Sequence, residues 1–387
     1  MTLEMAMERR RFLSLIGGGV LAGATAGAVG FALTRDPKLA LAPWSAAGRR
    51  DDVRLGALSY AILAPNPHNR QPWLADVRTP GQVTLHVDRS RLLPHTDPLN
   101  RQITIGLGCF LELMVMAAAE AGHRVDLELF PDGETPQGLT SGRVAIARFV
   151  RDRTARPDPL FAHVLARRSN KEPFDTARLV DPAVVPRILA AARHGPAVDA
   201  SLAPTSVAAL RSLTERALRI EIATPRTYRE SVDLFRIGRA EVEANPDGID
   251  FTGVVFEGLA RVGQFDRQVA LDPKSMAYQQ GVGAVIENAA SATGHVWMVS
   301  AQNRRIDQIA AGRDWVRMNL AATRESVGWH PLSQALQEFP EMAGPYREAH
   351  ARLAPRGGTV QMLCRIGHGA AVGPSPRWPL AAKLVAA

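Results

Sequence analysis

The sequence predicts an α+β protein in which helices pack on antiparallel or mixed sheets. Three features carry that expectation: period-two alternation at residues 83–88 and 124–130, long apolar helical runs such as 103–121, and the interleaving of the two kinds along the chain. With 387 residues, 46% of them hydrophobic and 22% charged, the chain can bury a large core, which argues against disorder, collagen and a multi-span membrane protein.

Residues 51–64 read as a helix, with Val53, Leu55, Leu58, Ile62 and Leu63 on its apolar positions and an aspartate near its start. Pro65, Pro67 and Pro72 then forbid helix and impose a stiff turn ending at Trp73. A strand at 83–88, the helix 103–121 closed by Gly122, and strands at 124–130 and 144–149 follow, before a polar, proline-bearing linker at 151–159. Helical patterns occupy 204–224, 226–243, 276–292 and 312–328. Strands are expected at 295–301 and 359–365, and the tail 367–387 reads as irregular.

A weak repeat links the halves. Helices of equal length span 106–122 and 312–328, and Arg49-Arg50 before the 58–65 run parallels Arg167-Arg168 before 188–196.

The N-terminus reads as a targeting segment. Glu8-Arg9-Arg10-Arg11-Phe12-Leu13-Ser14 resembles a twin-arginine export signal, and 22 uncharged residues from Phe12 to Leu33 follow it. That stretch is also long enough for a membrane anchor. Ala40-Leu41-Ala42 is a small-x-small cleavage pattern, but Pro43 follows it, so removal and retention as a tether both stay open. An exported or membrane-anchored extracytoplasmic, for example periplasmic, location follows, with the twin-arginine machinery as a partner. Because that route carries folded proteins, it hints at a cofactor.

The formal charge of +8 comes from scattered arginines and makes nucleic acid a poor partner. Two cysteines, Cys109 and Cys364, cannot build a disulfide framework, although one bridge stays open. No G-x-S-x-G, Walker or H-E-x-x-H motif occurs, and no histidine pair has metal-ligand spacing. No metal site and no acid or base are therefore nominated.

Two segments remain. Arg167-Arg168-Ser169-Asn170-Lys171 gathers permanent cations and donors suited to an oxyanion, although a solvated charged loop has the same composition. Pro65-Asn66-Pro67-His68-Asn69-Arg70-Gln71-Pro72-Trp73 holds amides on a stiff turn, suited to a heterocycle edge, or to an ordinary Asx turn beside a buried tryptophan.

Together these segments resemble the nitroreductase superfamily of flavin mononucleotide (FMN) enzymes, and more closely its Acg-like branch. The resemblance runs over about residues 50–380 through Ala64–Trp73, Asp97-Pro98, Arg101, Gly106, Arg167–Phe174, Gly312, Trp315, Asn319, His330-Pro331-Leu332-Ser333-Gln334, Arg365–Gly369 and Pro376-Arg377. It implies a nitroreductase-like fold, internally duplicated as a fused pseudo-dimer. The halves would be 43–155 and 156–387, the latter with its C-terminal tail, after a signal or anchor at 1–42. The chain would then be a monomer or a homodimer.

The same resemblance implies one composite FMN site. Arg167, Arg168, Ser169 and Lys171 would meet the pyrimidine edge, ribityl chain or phosphate; Pro65, Asn66, His68, Asn69 and Gln71 would face the ring system; Arg377 and Arg365 would supply phosphate charge. Asn66 and Arg70 depart from the family pattern, and the mate site is degenerate, with Asp51-Asp52 after Arg49-Arg50 and His194-Gly195-Pro196-Ala197 in place of the amide turn. The implied activity is reduction of nitroaromatic or quinone-like acceptors by a small-molecule donor through alternate flavin reduction and reoxidation (ping-pong). The other class consistent with the residues is a flavin storage or sequestration protein.

Overall fold

The structure is a computed structural model that describes residues 36–386. The export motif and the apolar stretch 12–33 lie outside the described residues. The chain forms two four-stranded sheets, both wholly antiparallel, one of the two arrangements the sequence left open. The first sheet holds β1 (Trp73–Asp76), β2 (Gln82–Val87), β3 (His123–Leu129) and β4 (Arg143–Arg151) in the order β1-β2-β4-β3. The second holds β5 (Ala197–Ser201), β8 (Gly294–Ser300), β9 (Gly328–Pro331) and β10 (Thr359–Gly367) in the order β5-β8-β10-β9. In each half two strands precede a 20-residue helix and two follow it, and the spatial order is first, second, fourth, third. One topology is thus used twice, as the repeat predicts.

Those helices are α3 (Arg101–Glu120) and α11 (Arg305–Arg324), and they cross with backbones in contact. A Cβ added to Gly312 would lie 1.9 Å from the Ile105 carbonyl oxygen, and one added to Gly108 would lie 2.3 Å from that of Ile309. Only glycine fits there, and the close approach lets one apolar core run from Leu58 and Trp73 through Phe110 to Val316 and Ile366.

Residues 202–293 separate β5 from β8 and have no counterpart in the first half. They contain α5 (Pro204–Ala223), α6 (Pro225–Asp233), β6 (Phe235–Ile237), α7 (Gly238–Ala244), β7 (Ile249–Phe251), α8 (Val254–Arg261), α9 (Arg267–Leu271) and α10 (Met276–Ala290). The expected continuous helix at 226–243 is broken. Phe235–Ile237 pairs in parallel with Ile249–Phe251, the rings of Phe235, Phe251 and Phe265 pack together, and Gly238 takes φ +79°. Burying those rings outweighs continuing a helix.

Helix α11 begins at Arg305 rather than near residue 312, because Asp307 caps the Arg304 amide and Pro- and Gly-free sequence precedes Gly312. It stops at Arg324, after which Ser326 takes φ +57° and β9 begins. Strands β1, β5 and β9 lack a clear alternating signal. Two features tie the chain ends to the first half. Helix α1 (Lys38–Ala46) places Ala40 and Trp44 in the body, with the Arg377 amide donating to the Ala40 carbonyl at 2.8 Å. The tail, expected to be irregular throughout, bridges Leu384 to Ala75 at the edge of β1 and folds Leu380–Lys383 into a turn of helix. Cys109 and Cys364 are free and buried, so the bridge left open is not formed.

Candidate functional site

Helix α2 (Val53–Ala61) delivers the chain into the proline-stiffened turn. The turn is strained: His68, Asn69 and Gln71 take φ of 48°, 49° and 50°. Left-handed backbone at non-glycine residues costs of order 1 kcal/mol each and persists only where surroundings enforce it. Asn66 is one enforcer, accepting from the Gln71 amide at 2.7 Å and donating to the Ala64 carbonyl at 3.1 Å. Gly106 is another, since a Cβ there would come within 3.0 Å of Asn66 Cβ. Asn66 is therefore a brace of the turn, and Pro65 sits partly buried beside it.

From this turn Asn69 reaches the tail. Its Nδ2 donates to the Pro376 carbonyl at 2.9 Å, and its Oδ1 accepts from Arg377 Nη1 at 2.6 Å. Arg377 Nη2 donates to the carbonyls of Leu63 and Ala64, each at 3.2 Å. The cationic bend arrives at the same point: Arg167 Nη2 donates to the Leu63 carbonyl at 3.1 Å, while its Nη1 meets Asn319 Oδ1 of α11 at 3.0 Å. Asn69 and Arg167, far apart in sequence and in different halves, are thus joined through Arg377 and one carbonyl oxygen.

The electrostatics of this junction are unusual. Arg167 and Arg377 are 3% and 2% exposed, and among the described residues each has a buried Nε without a partner and neither forms an ion pair with a carboxylate. Burial pulls Arg167 down to about 10 and Arg377 down to about 9, with mutual repulsion adding to the latter. Arg168 adds a third cation, its guanidinium 4.9 Å from the Trp44 ring, which Arg377 approaches at 5.5 Å from its own position. Buried cations with neutral partners alone are costly, so this junction is chemically suited to an anion. Ser169 and Lys171, next along the bend, make no hydrogen bond to protein among the described residues, with Lys171 exposed and Ser169 partly buried.

Two of the expected site residues have their side chains engaged by protein. Gln71 is fully buried, its Nε2 donating to the Pro246 carbonyl at 2.7 Å and its Oε1 accepting from the Trp378 amide at 2.9 Å, so its side chain is consumed in holding the insertion and the tail. Arg365 is likewise spent on protein. It donates to His330 Nδ1 at 2.8 Å, Ser291 Oγ at 2.8 Å and the Glu172 carbonyl at 2.7 Å, and its guanidinium lies 4.0 Å from the Phe174 ring centroid. These contacts let it shape the bend.

His68 contacts Ser231 Oγ at 3.0 Å, and burial, then the charges of Lys171 and Arg70, press its pKa down to about 4. The insertion grips the turn further through Asp247, which pairs with Arg70 at 3.2 Å, with Arg236 at 2.7 Å and with Arg91. Trp44, Ser231 and Asp247 carry no local sequence signal for a site; Asn319 lies in the motif around Trp315.

The equivalent turn after α4 (Val185–Leu189) is built differently. There Glu112, fully buried, pairs with Arg313 at 2.7 Å, Arg317 at 2.9 Å and His194 at 3.1 Å, and Asp314 accepts from the amides of Arg193 and His194. Its cations are paired with a carboxylate of the protein itself, whereas among the described residues Arg167 and Arg377 form no ion pair.

Comparison with known proteins gives a partial likeness. No family model matches the chain. A Mycobacterium tuberculosis protein described as "Putative NAD(P)H nitroreductase acg" is 35% identical over 126 residues, 32% of this chain and 36% of the relative. An uncharacterized protein of the same organism is 30% identical over 123 residues, 31% of this chain and 35% of its own length. The matched segment therefore spans about a third of these curated relatives. The crystal structure of a "putative nitroreductase" from Anabaena variabilis aligns with 75% of this chain and 69% of its own, at 10% identity and a TM-score of 0.39.

Proposed function

We propose that the chain is an FMN-dependent, nitroreductase-like oxidoreductase acting on nitroaromatic or quinone-like acceptors, exported or tethered through its N-terminal segment. The observation that carries this reading is the pair of buried guanidiniums of Arg167 and Arg377, without an ion-pair partner among the described residues, converging on the Leu63 carbonyl beside Asn69. The fit to FMN is one of charge: a phosphate would neutralise cations whose orphaned Nε groups have no protein acceptor. The partial likeness to the mycobacterial nitroreductase-named protein supports the same reading.

When bound, the flavin supplies hydride chemistry at its own ring, and the protein supplies binding and electrostatics. Arg377 and Arg167 would hold the phosphate end. Lys171 and Ser169, without a hydrogen-bond partner among the described residues, would donate to the ring or ribityl oxygens. The positive charge favours whichever ligand state is more anionic.

A storage role is the second reading, and the insertion favours it. Pro246, Asp247 and Ser231 clasp the turn of residues 66–71 and consume Gln71, which restricts approach to that side of the site. Full-length protein, purified and mixed anaerobically with a nicotinamide or quinol donor, separates the readings. Bleaching of a flavin band, then recovery with a nitroaromatic, supports turnover; a bound flavin that no donor reduces supports storage; a colourless protein that takes up no added FMN overturns both.

A further inference from the structure

We infer that His330 belongs to the ligand site, where its Nε2–H and the Lys171 ammonium together donate to an oxygen on a planar ring ligand. Arg365 is the positioning residue that fixes both donors. This rests on the flavin-site reading above and adds a contact separate from the phosphate end.

The tautomer follows from hydrogen bonding. Arg365 has only donors to offer, and its Nε lies 2.8 Å from His330 Nδ1, so Nδ1 must accept and the ring hydrogen must sit on Nε2. That Nε2–H has no protein acceptor among the described residues, and the ring is only partly buried. The Arg365–His330 pair is also a cross-strand pair, which holds the imidazole on the same face of the sheet as the guanidinium.

The same guanidinium reaches the cationic bend. Its Nη2 donates to the Glu172 carbonyl at 2.7 Å and to the Asn170 carbonyl at 3.4 Å, on either side of Lys171. The Asn170 amide donates to the Trp329 carbonyl at 2.9 Å, which lays the bend along β9 one residue before His330. Lys171 and His330 are therefore brought alongside each other by backbone. The Lys171 charge acts on His330 and also on His68 of the first-half turn. Burial, with Arg365 and Lys171 nearby, keeps His330 far below the usual imidazole range. A neutral N–H beside an ammonium suits a carbonyl or nitro oxygen, either on the flavin ring or on an electron acceptor stacked against it.

The test uses full-length protein labelled with 15N-histidine, with His330→Gln identifying the resonance. Without ligand, His330 should show the Nε2–H tautomer at neutral pH; an Nδ1–H or imidazolium form overturns the inference. Added FMN should shift the Nε2 signal if the oxygen is the flavin's. If FMN leaves it in place and 4-nitrobenzoate then shifts it in the FMN-loaded protein, the oxygen is the acceptor's. No shift with either overturns the inference while leaving flavin binding intact. His330→Gln should weaken the affected ligand about tenfold and leave the other within about twofold. Arg365→Gln should abolish the single-tautomer signal of His330. Should absorbance show that FMN does not bind at all, the flavin reading falls and this inference with it.

Discussion

Replacing Arg377 tests the anion site most directly. Arg377 is 2% exposed, has no ion-pair partner among the described residues, and is pulled from 12.5 to about 9, chiefly by burial. At about 1.4 kcal/mol per pK unit, the charged form is disfavoured by several kcal/mol, a cost that a bound phosphate offsets in part. Losing one partner of a buried charge pair typically costs about 2–5 kcal/mol, and the lower half of that range corresponds to ~30- to 400-fold in dissociation constant. Arg377→Met should therefore weaken FMN by ~100-fold, while riboflavin, which lacks the phosphate, changes by less than about threefold. Flavin fluorescence quenching reads both constants. Because Arg377 also holds Asn69 and the carbonyls of Leu63 and Ala64, Arg377→Lys serves as the control that keeps the charge and loses the fork. It should retain most of the preference for FMN. Equal losses for FMN and riboflavin, or none, would refute the phosphate assignment.

Further outcomes follow from the same geometry. Gly312→Ala should cost about 3 kcal/mol or more in urea unfolding, because its Cβ would sit 1.9 Å from the Ile105 carbonyl oxygen, whereas Gly283→Ala, with nothing within 4 Å, should gain about 0.5–1 kcal/mol. Glu221 is buried, with one carboxylate oxygen unpartnered, and burial raises it from 4.5 to about 7. A raised carboxyl stabilises below its unfolded value and loses that contribution as pH rises through about 7. Glu221→Gln should therefore raise stability by about 2–3 kcal/mol at pH 8 relative to its effect near pH 4, read as a pH-dependent difference in melting temperature. Asn66→Ala should cost about 1–3 kcal/mol by releasing the Gln71 amide and the strained turn, and it should weaken FMN as well. Unchanged stability would show that the turn is held from elsewhere.

Much of the frame was legible in the sequence because periodicity is local. The helix at 204–224 matches Pro204–Ala223, and the alternation at 124–130 matches His123–Leu129. The equal-length helices anticipated the doubled topology, since a repeated hydrophobic pattern must bury itself in the same way twice. Legibility failed where neighbours override propensity. The 226–243 helix broke because aromatic burial and the β6–β7 pairing compete with helix continuation. Strands β1, β5 and β9 are too short to alternate clearly.

The sequence by itself determined which residues are candidates for the site: amides on a turn stiffened by Pro65, Pro67 and Pro72, a run of permanent cations, and a tail arginine, each defined by backbone stiffness or side-chain charge within a few positions. Only tertiary structure decided what those groups touch. Gln71 and Arg365 are donors in any conformation, yet the partners that consume them come from Pro246, Trp378, Ser291 and His330, none of them a local neighbour. Arg167 and Arg377 form no ion pair among the described residues for the same reason. A hydrogen bond is satisfied by whatever the fold brings within about 3 Å, and that distance is set by packing across the whole chain rather than by spacing along it.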